Sequence, residues 1–202
     1  MKGILLLNGT PYSGEIDCSD SVVYCCDGAY EWAKGRVRID KNIGDFDSLG
    51  YIPVPAPEKI YPSEKDYTDG EIALFKMIAD GADQIAIYGG GGGREDHFLG
   101  NLNLLYAAHA RGVKAVMISE KSEIFVSSGK IPLGDYCGRT FSLLPFGNFV
   151  RIMESEGCKY AYPKRISVGE CRGISNIVLS RSAFVRTHRR DVALIIVNKG
   201  EV

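Results

Sequence analysis

The stretch Tyr88-Gly-Gly-Gly-Gly-Gly-Arg-Glu-Asp-His97 places five consecutive glycines between two segments of different periodicity. The apolar run before it, Gln84-Ile-Ala-Ile-Tyr88, predicts a short buried strand. A helix is predicted after it, because five apolar residues are spaced to form one face: Phe98, Leu99, Leu102, Leu105 and Tyr106. A glycine turn between a strand and a helix N-terminus lets backbone N–H groups approach an anion. The stretch therefore predicts a phosphate site, although such turns are also common as plain flexible loops.

Three acidic motifs precede this turn: Cys25-Cys26-Asp27-Gly28, Ile43-Gly-Asp-Phe-Asp-Ser-Leu49 and Lys65-Asp-Tyr-Thr-Asp69. Asp45 and Asp47 are two residues apart, so in an extended segment their side chains point to the same side. Phosphoryl transfer needs hard oxygen ligands for Mg²⁺ and a cation for the phosphate charge, which the guanidinium of Arg94 supplies. A single aspartate at a strand end is more often a turn former, but three such motifs together favour a site.

The order of the predicted elements divides the chain in two. Residues 1–120 alternate strands and helices, which predicts an α/β domain with a parallel sheet and ligands at the carboxyl ends of its strands. Residues 121–202 lose helical periodicity and predict an all-β antiparallel domain, either a sandwich or barrel-like. The strands are predicted near residues 3–7, 21–26, 59–61, 84–88, 113–118, 122–127, 139–144, 149–153, 166–168, 176–186 and 191–197. The helices are predicted near 69–80, with Ile72, Phe75, Ile78 and Ala79 on its apolar face, and near 95–111.

Composition and charge exclude several classes of function. The 202 residues are 45% hydrophobic with a net charge of −1, which argues against a nucleic-acid binder with a broad basic surface. The six cysteines form no C-x-x-C pair and no zinc-finger spacing, so neither a metal finger nor a catalytic cysteine is expected. The apolar N-terminal stretch, Met1-Lys-Gly-Ile-Leu-Leu-Leu7, is too short for a signal peptide or a membrane span. A cytoplasmic protein without membrane or nucleic-acid partners is expected.

Taken in order, the motifs resemble those of thiamine pyrophosphokinases. The matching elements are Asp27-Gly28, Gly44-Asp-Phe-Asp-Ser48, Lys65-Asp-x-Thr-Asp69 and Gly-Gly-Arg94-x-Asp96-His97. Gly173-Ile-Ser-Asn176 is similar to the family's Gly-x-Ser-Asn segment, which lies in its C-terminal β domain and contacts thiamine. The resemblance covers roughly residues 4 to 197. One departure is Ala29, where members often carry a second glycine.

The resemblance implies an enzyme that transfers the diphosphate group of ATP to the hydroxyethyl oxygen of thiamine, giving thiamine diphosphate and AMP. It implies Mg²⁺ as cofactor, held by Asp45, Asp47 and Asp69. It also implies a homodimer with the active site shared between subunits, although the spacing of the motifs is equally compatible with a cleft inside one chain. The implied catalytic residues are Asp27, Asp45, Asp47, Asp69, Arg94 and Asp96. The implied ATP-binding residues are Gly90, Gly92, Gly93, Arg94, Asp66, Thr68 and His97, and Ser175 and Asn176 are implied for thiamine.

Several of these residues also have purely structural interpretations. Thr68 followed by Glu71 fits a helix capping box, and Asp96 could be the N-cap of the second predicted helix. His97 at that helix start could pack or cap without touching a ligand. Trp32 is better explained as a half-buried core residue than as a stacking platform. Asp27 and Asp96 are both candidates for a general base.

Two other functions fit parts of the pattern. The Asp-x-Asp pair and the glycine turn alone allow another Mg²⁺-dependent phosphotransferase or phosphohydrolase. A binding or sensor protein for thiamine diphosphate or a nucleotide is the second alternative, which the complete acidic set argues against.

Overall fold

The computed structural model describes residues 1–200 and comprises two compact units, Met1–Glu120 and Lys121–Val202. We call them the N-terminal and the C-terminal unit. None of the helices in the described residues has the length and apolar character needed to cross a membrane.

The N-terminal unit is built on five parallel strands in the order β5-β4-β1-β2-β3. The strands are β1 (Lys2–Leu6), β2 (Ser21–Cys26), β3 (Lys41–Ile43), β4 (Gln84–Tyr88) and β5 (Lys114–Ile118). The helices are α1 (Ala29–Ala33), α2 (Asp69–Ala79) and α3 (Glu95–His109). Because all five strands run in one direction, the loops that follow them start at the same edge of the sheet.

Both long helices of this unit begin close to the predicted residues, but α2 buries a different face and α3 buries only part of the predicted one. In α2 the buried residues are Gly70, Ala73, Leu74 and Met77 rather than the predicted Ile72, Phe75, Ile78 and Ala79. In α3 the predicted Leu102 and Leu105 are buried with Leu104 and Ala108, whereas Leu99 and Tyr106 are exposed. Each helix has apolar residues on more than one side, so periodicity alone could not identify the face that packs on the sheet.

One predicted strand of the N-terminal unit is absent and two short elements were not predicted. Residues 59–61 are irregular, and Tyr61 donates its backbone N–H to the carbonyl of Gly44 at 3.1 Å. The sheet is completed instead by β3, which has only three residues and includes a lysine and an asparagine. Helix α1 has only five residues, fewer than a periodic pattern needs to be recognised.

The C-terminal unit contains two antiparallel sheets that enclose one apolar core. One sheet has the order β11-β8-β13-β6 and the other β10-β9-β12-β7. Buried residues of both sheets, among them Leu143, Val150, Val185 and Ile195, form the core, which makes the unit a sandwich. The strands are β6 (Ser122–Ser127), β7 (Lys130–Pro132), β8 (Thr140–Pro145), β9 (Phe149–Glu156), β10 (Arg165–Ser167), β11 (Asn176–Ile177), β12 (Phe184–Thr187) and β13 (Ala193–Asn198).

Two details of this unit differ from the sequence prediction. The predicted strand over 176–186 is two strands, β11 and β12, which belong to different sheets. The three-residue strand β7 was not predicted. The basic run Arg186-Thr-His-Arg-Arg190 ends β12 and continues into its connection to β13, where the Arg151 guanidinium pairs with the buried Asp191 at 2.7 Å.

Candidate active site

Three carboxylates meet where β2 and β3 end, and we call Asp27, Asp45 and Asp47 the acidic cluster. Asp27 directly follows β2, while Asp45 and Asp47 follow β3. Since β2 and β3 are neighbouring parallel strands, their carboxyl ends bring the three side chains together. One carboxylate oxygen from each residue lies within 4.8 Å of the other two. Such a group of hard oxygen donors suits a divalent cation such as Mg²⁺.

The backbone of the acidic cluster adopts conformations that L-residues rarely take. Asp27 has φ 41° and Phe46 has φ 59°, both in the left-handed region. Each such residue costs on the order of 1–2 kcal/mol and persists only where its surroundings enforce it. Phe46 is buried between Asp45 and Asp47, and a Cβ on Gly44 would lie 3.0 Å from the Cβ of Asp27. The packing therefore holds the two aspartate loops against each other.

The two oxygens of Asp27 have different surroundings. Its Oδ2 accepts a hydrogen bond from the Ser48 hydroxyl at 3.0 Å. Its Oδ1 is buried and has no hydrogen-bond donor among the described residues. A buried carboxylate oxygen without a donor is costly, and a bound cation removes that cost. The residues present thus fit a Mg²⁺ ion.

The predicted third ligand, Asp69, lies in a different arrangement. Asp69 is the first residue of α2, and its Oδ1 is 2.8 Å from the ammonium nitrogen of Lys65. The same nitrogen is 3.5 Å from Oδ2 of Asp45, so the lysine bridges the two carboxylates. The structure therefore brings Asp27 into the closest group with Asp45 and Asp47 and links Asp69 to it through Lys65. Sequence reasoning gave Lys65 no role, although it stands four residues before Asp69.

Burial and the charge of Lys65 shift the pKa values of Asp69 and Asp45 in opposite directions. Burial raises the pKa of Asp69, while Lys65 acts to lower it. For Asp45, desolvation would raise the pKa, but the hydrogen bond from the backbone of Asp47 and the charge of Lys65 lower it below its usual value. Asp45 is therefore charged at neutral pH and available to a cation.

Hydrogen bonds from other segments hold the backbone of the glycine turn, residues 89–93. Its carbonyl oxygens accept hydrogen bonds from Gly9 N–H, Thr10 N–H and the Asn101 amide, at 2.8, 2.7 and 2.8 Å. Within residues 1–200, the N–H groups of residues 91–93 donate no backbone hydrogen bond in turns or loops. Gly92 and Gly93 have φ of 74° and 72°, a geometry in which successive N–H groups form an anion-binding concavity. The predicted glycines Gly90, Gly92 and Gly93 all lie in this turn, and the supporting Asn101 was not predicted.

The charged residues after the turn lie on the surface. Arg94 is the N-cap residue of α3, and its guanidinium forms a two-point ion pair with Asp96, with distances of 3.1 and 2.6 Å. The N-cap interpretation of Asp96 is therefore wrong, because the helix begins one residue before it. The hydrogen bond from Arg94 lowers the pKa of Asp96. The side chain of His97 is exposed, and only its backbone N–H contacts Asp96.

Two further residues predicted to bind ATP lie just before α2. Thr68 forms both hydrogen bonds of the capping box with Glu71, so the capping interpretation is confirmed. Asp66 is exposed.

The surroundings of Trp32 and Cys25 agree with structural roles for both residues. Trp32 is partly buried in the core and donates its indole N–H to the Leu7 carbonyl at 3.2 Å. Burial raises the pKa of Cys25 to about 12, which leaves that thiol unreactive at neutral pH.

In the C-terminal unit, Ser175 and Asn176 have different surroundings. The Asn176 amide is buried and exchanges hydrogen bonds with the backbone of Tyr160, accepting at 3.0 Å and donating at 2.8 Å. Ser175 is exposed, has φ 58°, and donates its backbone N–H to the Ser142 hydroxyl at 3.1 Å. Asn176 therefore holds the backbone of Tyr160, while Ser175 is exposed to solvent.

Comparison with known proteins shows the family to which this chain belongs. The family profile described as "Thiamin pyrophosphokinase, catalytic domain" matches residues 16–117. A thiamine pyrophosphokinase of Bacillus subtilis (strain 168) is 34% identical over 155 residues, which cover 70% of this chain and 71% of the relative. The chain belongs to the thiamine pyrophosphokinase family. The resemblance drawn from the motifs is thereby confirmed.

Solved structures of thiamine pyrophosphokinases share the fold. The Bacillus subtilis protein superimposes with a TM-score of 0.82 at 24% identity, covering 98% of this chain and 99% of that one. The Geobacillus thermodenitrificans protein gives 0.80 at 25% identity, with 99% and 98% covered. The yeast protein, at 17% identity, gives 0.63 with 98% and 86% covered. The acidic cluster and the glycine turn lie inside the residues that the thiamine pyrophosphokinase profile matches, whereas Ser175 and Asn176 lie outside them.

Proposed function

We propose that this protein transfers the diphosphate group of ATP to the hydroxyethyl oxygen of thiamine, giving thiamine diphosphate and AMP. The observation that carries the proposal is the acidic cluster, with the buried Oδ1 of Asp27 lacking a donor among residues 1–200. Membership of the thiamine pyrophosphokinase family supports the choice of substrates. The glycine turn in the same unit supports a phosphate-containing donor.

The acidic cluster is the proposed Mg²⁺ site. Asp45 and Asp47 come from the sequence prediction, Asp27 is added by the geometry, and Asp69 remains a predicted ligand. When bound, Mg²⁺ neutralises negative charge that develops on the phosphate oxygens. The chain's own contribution is to hold the carboxylates in place before the ion arrives, which lowers the cost of organising the site.

The glycine turn and Arg94 are the proposed contacts for the ATP phosphates. We assign the anion to the N–H groups of residues 91–93, because the carbonyls of the turn already accept hydrogen bonds from Gly9, Thr10 and Asn101. Arg94 is paired with Asp96 and exposed, so phosphate oxygens can exchange for that carboxylate at little cost in protein stability. Asp66, Thr68 and His97 remain predicted contacts.

At the β-phosphorus, the reaction forms one bond and breaks another. The hydroxyethyl oxygen of thiamine bonds to the β-phosphorus of ATP, the bond from that phosphorus to the α-phosphate oxygen breaks, and AMP leaves with the electron pair. The proton of the hydroxyl passes to a carboxylate, for which Asp27 and Asp96 are the candidates. Most of the rate acceleration is assigned to positioning and electrostatics.

Thiamine is assigned to the C-terminal unit through Ser175, with Asn176 holding the turn that presents it. From the family resemblance we also propose a homodimer in which each active site uses residues of both subunits. A monomer by light scattering at working concentrations would overturn that assembly. A cytoplasmic location remains a prediction.

The test is a product assay with purified protein, ATP, Mg²⁺ and thiamine, separating the nucleotides and thiamine phosphates by chromatography. Equal amounts of AMP and thiamine diphosphate, formed only with metal present, are expected. ADP with thiamine monophosphate would move the attack to the γ-phosphorus and contradict the proposed reaction. Thiamine binding without turnover would support the sensor alternative instead.

A further inference from the structure

Lys65 is a cation that the protein itself places at the edge of the proposed metal site. Its side chain is only 13% exposed, and its ammonium lies 2.8 Å from Oδ1 of Asp69 and 3.5 Å from Oδ2 of Asp45. By contrast, Lys34 pairs with Glu31 on the surface with 47% of its side chain exposed. Lysine is a compact point charge on a flexible stem, so its ammonium can change partners without movement of the backbone.

The same carboxylate faces both the lysine and the candidate cation. Asp45 belongs to the acidic cluster through one oxygen that lies within 4.8 Å of Asp27 and Asp47, and it also pairs with Lys65. A divalent ion at the cluster would therefore lie near a positive charge that is poorly screened by solvent. Without the ion, that positive charge offsets the repulsion between Asp45 and Asp69.

We propose that Lys65 is a placeholder cation, which holds Asp45 and Asp69 while the site is empty and turns to the phosphate oxygens of the nucleotide when metal and nucleotide bind together. The part that concerns the nucleotide rests on the proposed function. The consequence is a coupling between ligands: Mg²⁺ alone binds weakly because Lys65 opposes it, and the triphosphate strengthens Mg²⁺ binding by drawing the ammonium away from the carboxylates.

The test measures Mg²⁺ binding by calorimetry to the metal-free full-length protein, without nucleotide and then with a non-hydrolysable ATP analogue. Lys65→Gln is expected to bind Mg²⁺ alone about tenfold more tightly than the wild type, because one opposing charge is removed. In the same variant, the strengthening of Mg²⁺ binding by the ATP analogue is expected to shrink by a similar factor. Lys34→Gln is the matched control and should leave both affinities unchanged.

Two further variants keep the result interpretable. Lys65→Met replaces the ammonium with an uncharged group of similar length and serves if Lys65→Gln does not fold, as judged by circular dichroism. Lys65→Arg retains the charge and should bind Mg²⁺ no more tightly than the wild type. Unchanged Mg²⁺ affinity in both uncharged variants would overturn the proposal.

The outcome is separable from that of the proposed function, since Mg²⁺ titration requires neither thiamine nor turnover. Tighter Mg²⁺ binding by Lys65→Gln in a protein that makes no thiamine diphosphate would support the placeholder role and reject the reaction. Normal diphosphate transfer with unchanged Mg²⁺ binding in Lys65→Gln would retain the reaction and reject the placeholder role.

Discussion

The acidic cluster and the glycine turn both follow strands of one parallel sheet, yet they hold their charges in opposite ways. Around the cluster, the side chains of Lys65, Asp45 and Asp69 are 13%, 17% and 22% exposed. After the turn, those of Arg94 and Asp96 are 73% and 63% exposed. The loops of the acidic cluster are fixed by the left-handed backbone of Asp27 and of the buried Phe46, although Asp47 itself is exposed. The charged pair after the glycine turn is free to exchange partners.

This difference separates two tasks that a phosphoryl-transfer site must perform. Charges that are partly removed from water interact strongly and need little reorganisation, which suits the binding of a metal ion. An exposed ion pair contributes little to stability, which suits a group that must release one partner to take another. We therefore expect substitutions at the cluster to affect chemistry most, and substitution of the exposed Arg94 to affect mainly nucleotide binding.

The largest effect is expected from Asp45→Asn. The change keeps the shape of the side chain but removes a negative charge from the acidic cluster. We expect kcat to fall roughly 10³-fold, equivalent to about 4 kcal/mol, with a thermal unfolding midpoint close to that of the wild type. Asp20→Asn, at an exposed aspartate of the same unit, is the control. Near-normal turnover of Asp45→Asn would remove Asp45 from the metal site.

The next largest effect is a loss of unfolding free energy in the glycine turn, where two alanine substitutions distinguish the cost of close packing from the cost of backbone conformation. Gly89 and Gly93 have φ of 70° and 72°, but a Cβ on Gly89 would lie 2.1 Å from the Leu7 carbonyl oxygen, whereas a Cβ on Gly93 meets no atom within 4 Å. Gly93→Ala should lower the free energy of unfolding by about 1 kcal/mol through conformation alone. Gly89→Ala should lower it by about 3 kcal/mol because the backbone must also move. Urea unfolding of both variants gives the comparison, and equal losses would show that the turn is not packed as described.

A smaller effect is expected from Arg94→Gln. The Michaelis constant for ATP should rise about tenfold, because one charge-assisted contact to phosphate is lost, while kcat for bound substrate changes little. The thermal midpoint at neutral pH should fall only slightly, since the Arg94–Asp96 pair is exposed and contributes little to stability. Arg38→Gln removes an ion pair of the same spacing, that of Arg38 with Asp40, and should leave the ATP constant unchanged. A stability loss without a change in that constant would make Arg94 a structural residue.

The sequence patterns predicted the long elements of both units and the three-residue strand β10, but they missed the short elements β3, α1 and β7. β1, β2, β4 and β5 are apolar runs bounded by turn residues and lie close to the predicted positions. β3 is a strand only because it pairs with β2, and its three residues carry no pattern of their own. The apolar face of α2 was predicted wrongly because apolar side chains occur on several sides of the helix, and only packing against the sheet selects one.

The site was predictable as a set of residues but not as an arrangement. The spacing of Asp45 and Asp47 predicted that these two side chains point to the same side, but the approach of Asp27 to them depends on β2 and β3 being neighbours, which no local pattern shows. The bridge formed by Lys65 depends on how the start of α2 meets the loop after β3. Such contacts between distant segments follow from tertiary structure, so sequence reasoning could assign residue types to a chemistry but not the partner of each charge.

The smallest expected effect is on the pH dependence of the thermal midpoint, which salt should then change differently for the acidic cluster and for the Arg94–Asp96 pair. The hydrogen bond from Arg94 lowers the pKa of Asp96, and Asp47 and Lys65 lower the pKa of Asp45 against the opposing effect of burial. A carboxylate with a lowered folded-state pKa stabilises the protein above its unfolded pKa of about 3.9, and this stabilisation is lost as the pH falls through the lower folded value. Asp45→Asn and Asp96→Asn should therefore each make the thermal midpoint fall less steeply than in the wild type as the pH is lowered below about 4.

Salt should then separate the two variants. At about 0.5 M NaCl the screening length is about 4 Å, so the difference between Asp96→Asn and the wild type, which rests on an exposed ion pair, should become smaller. The difference for Asp45→Asn, about 3 °C or less, should persist to a larger extent, because the ammonium of Lys65 beside it is largely shielded from solvent. The measurement is the thermal midpoint between pH 3 and 6 at low and high salt, with a chelator present to keep metal away. Equal salt sensitivity of the two variants would mean that the acidic cluster is as open to solvent as the surface pair, and the contrast between the two regions would then fail.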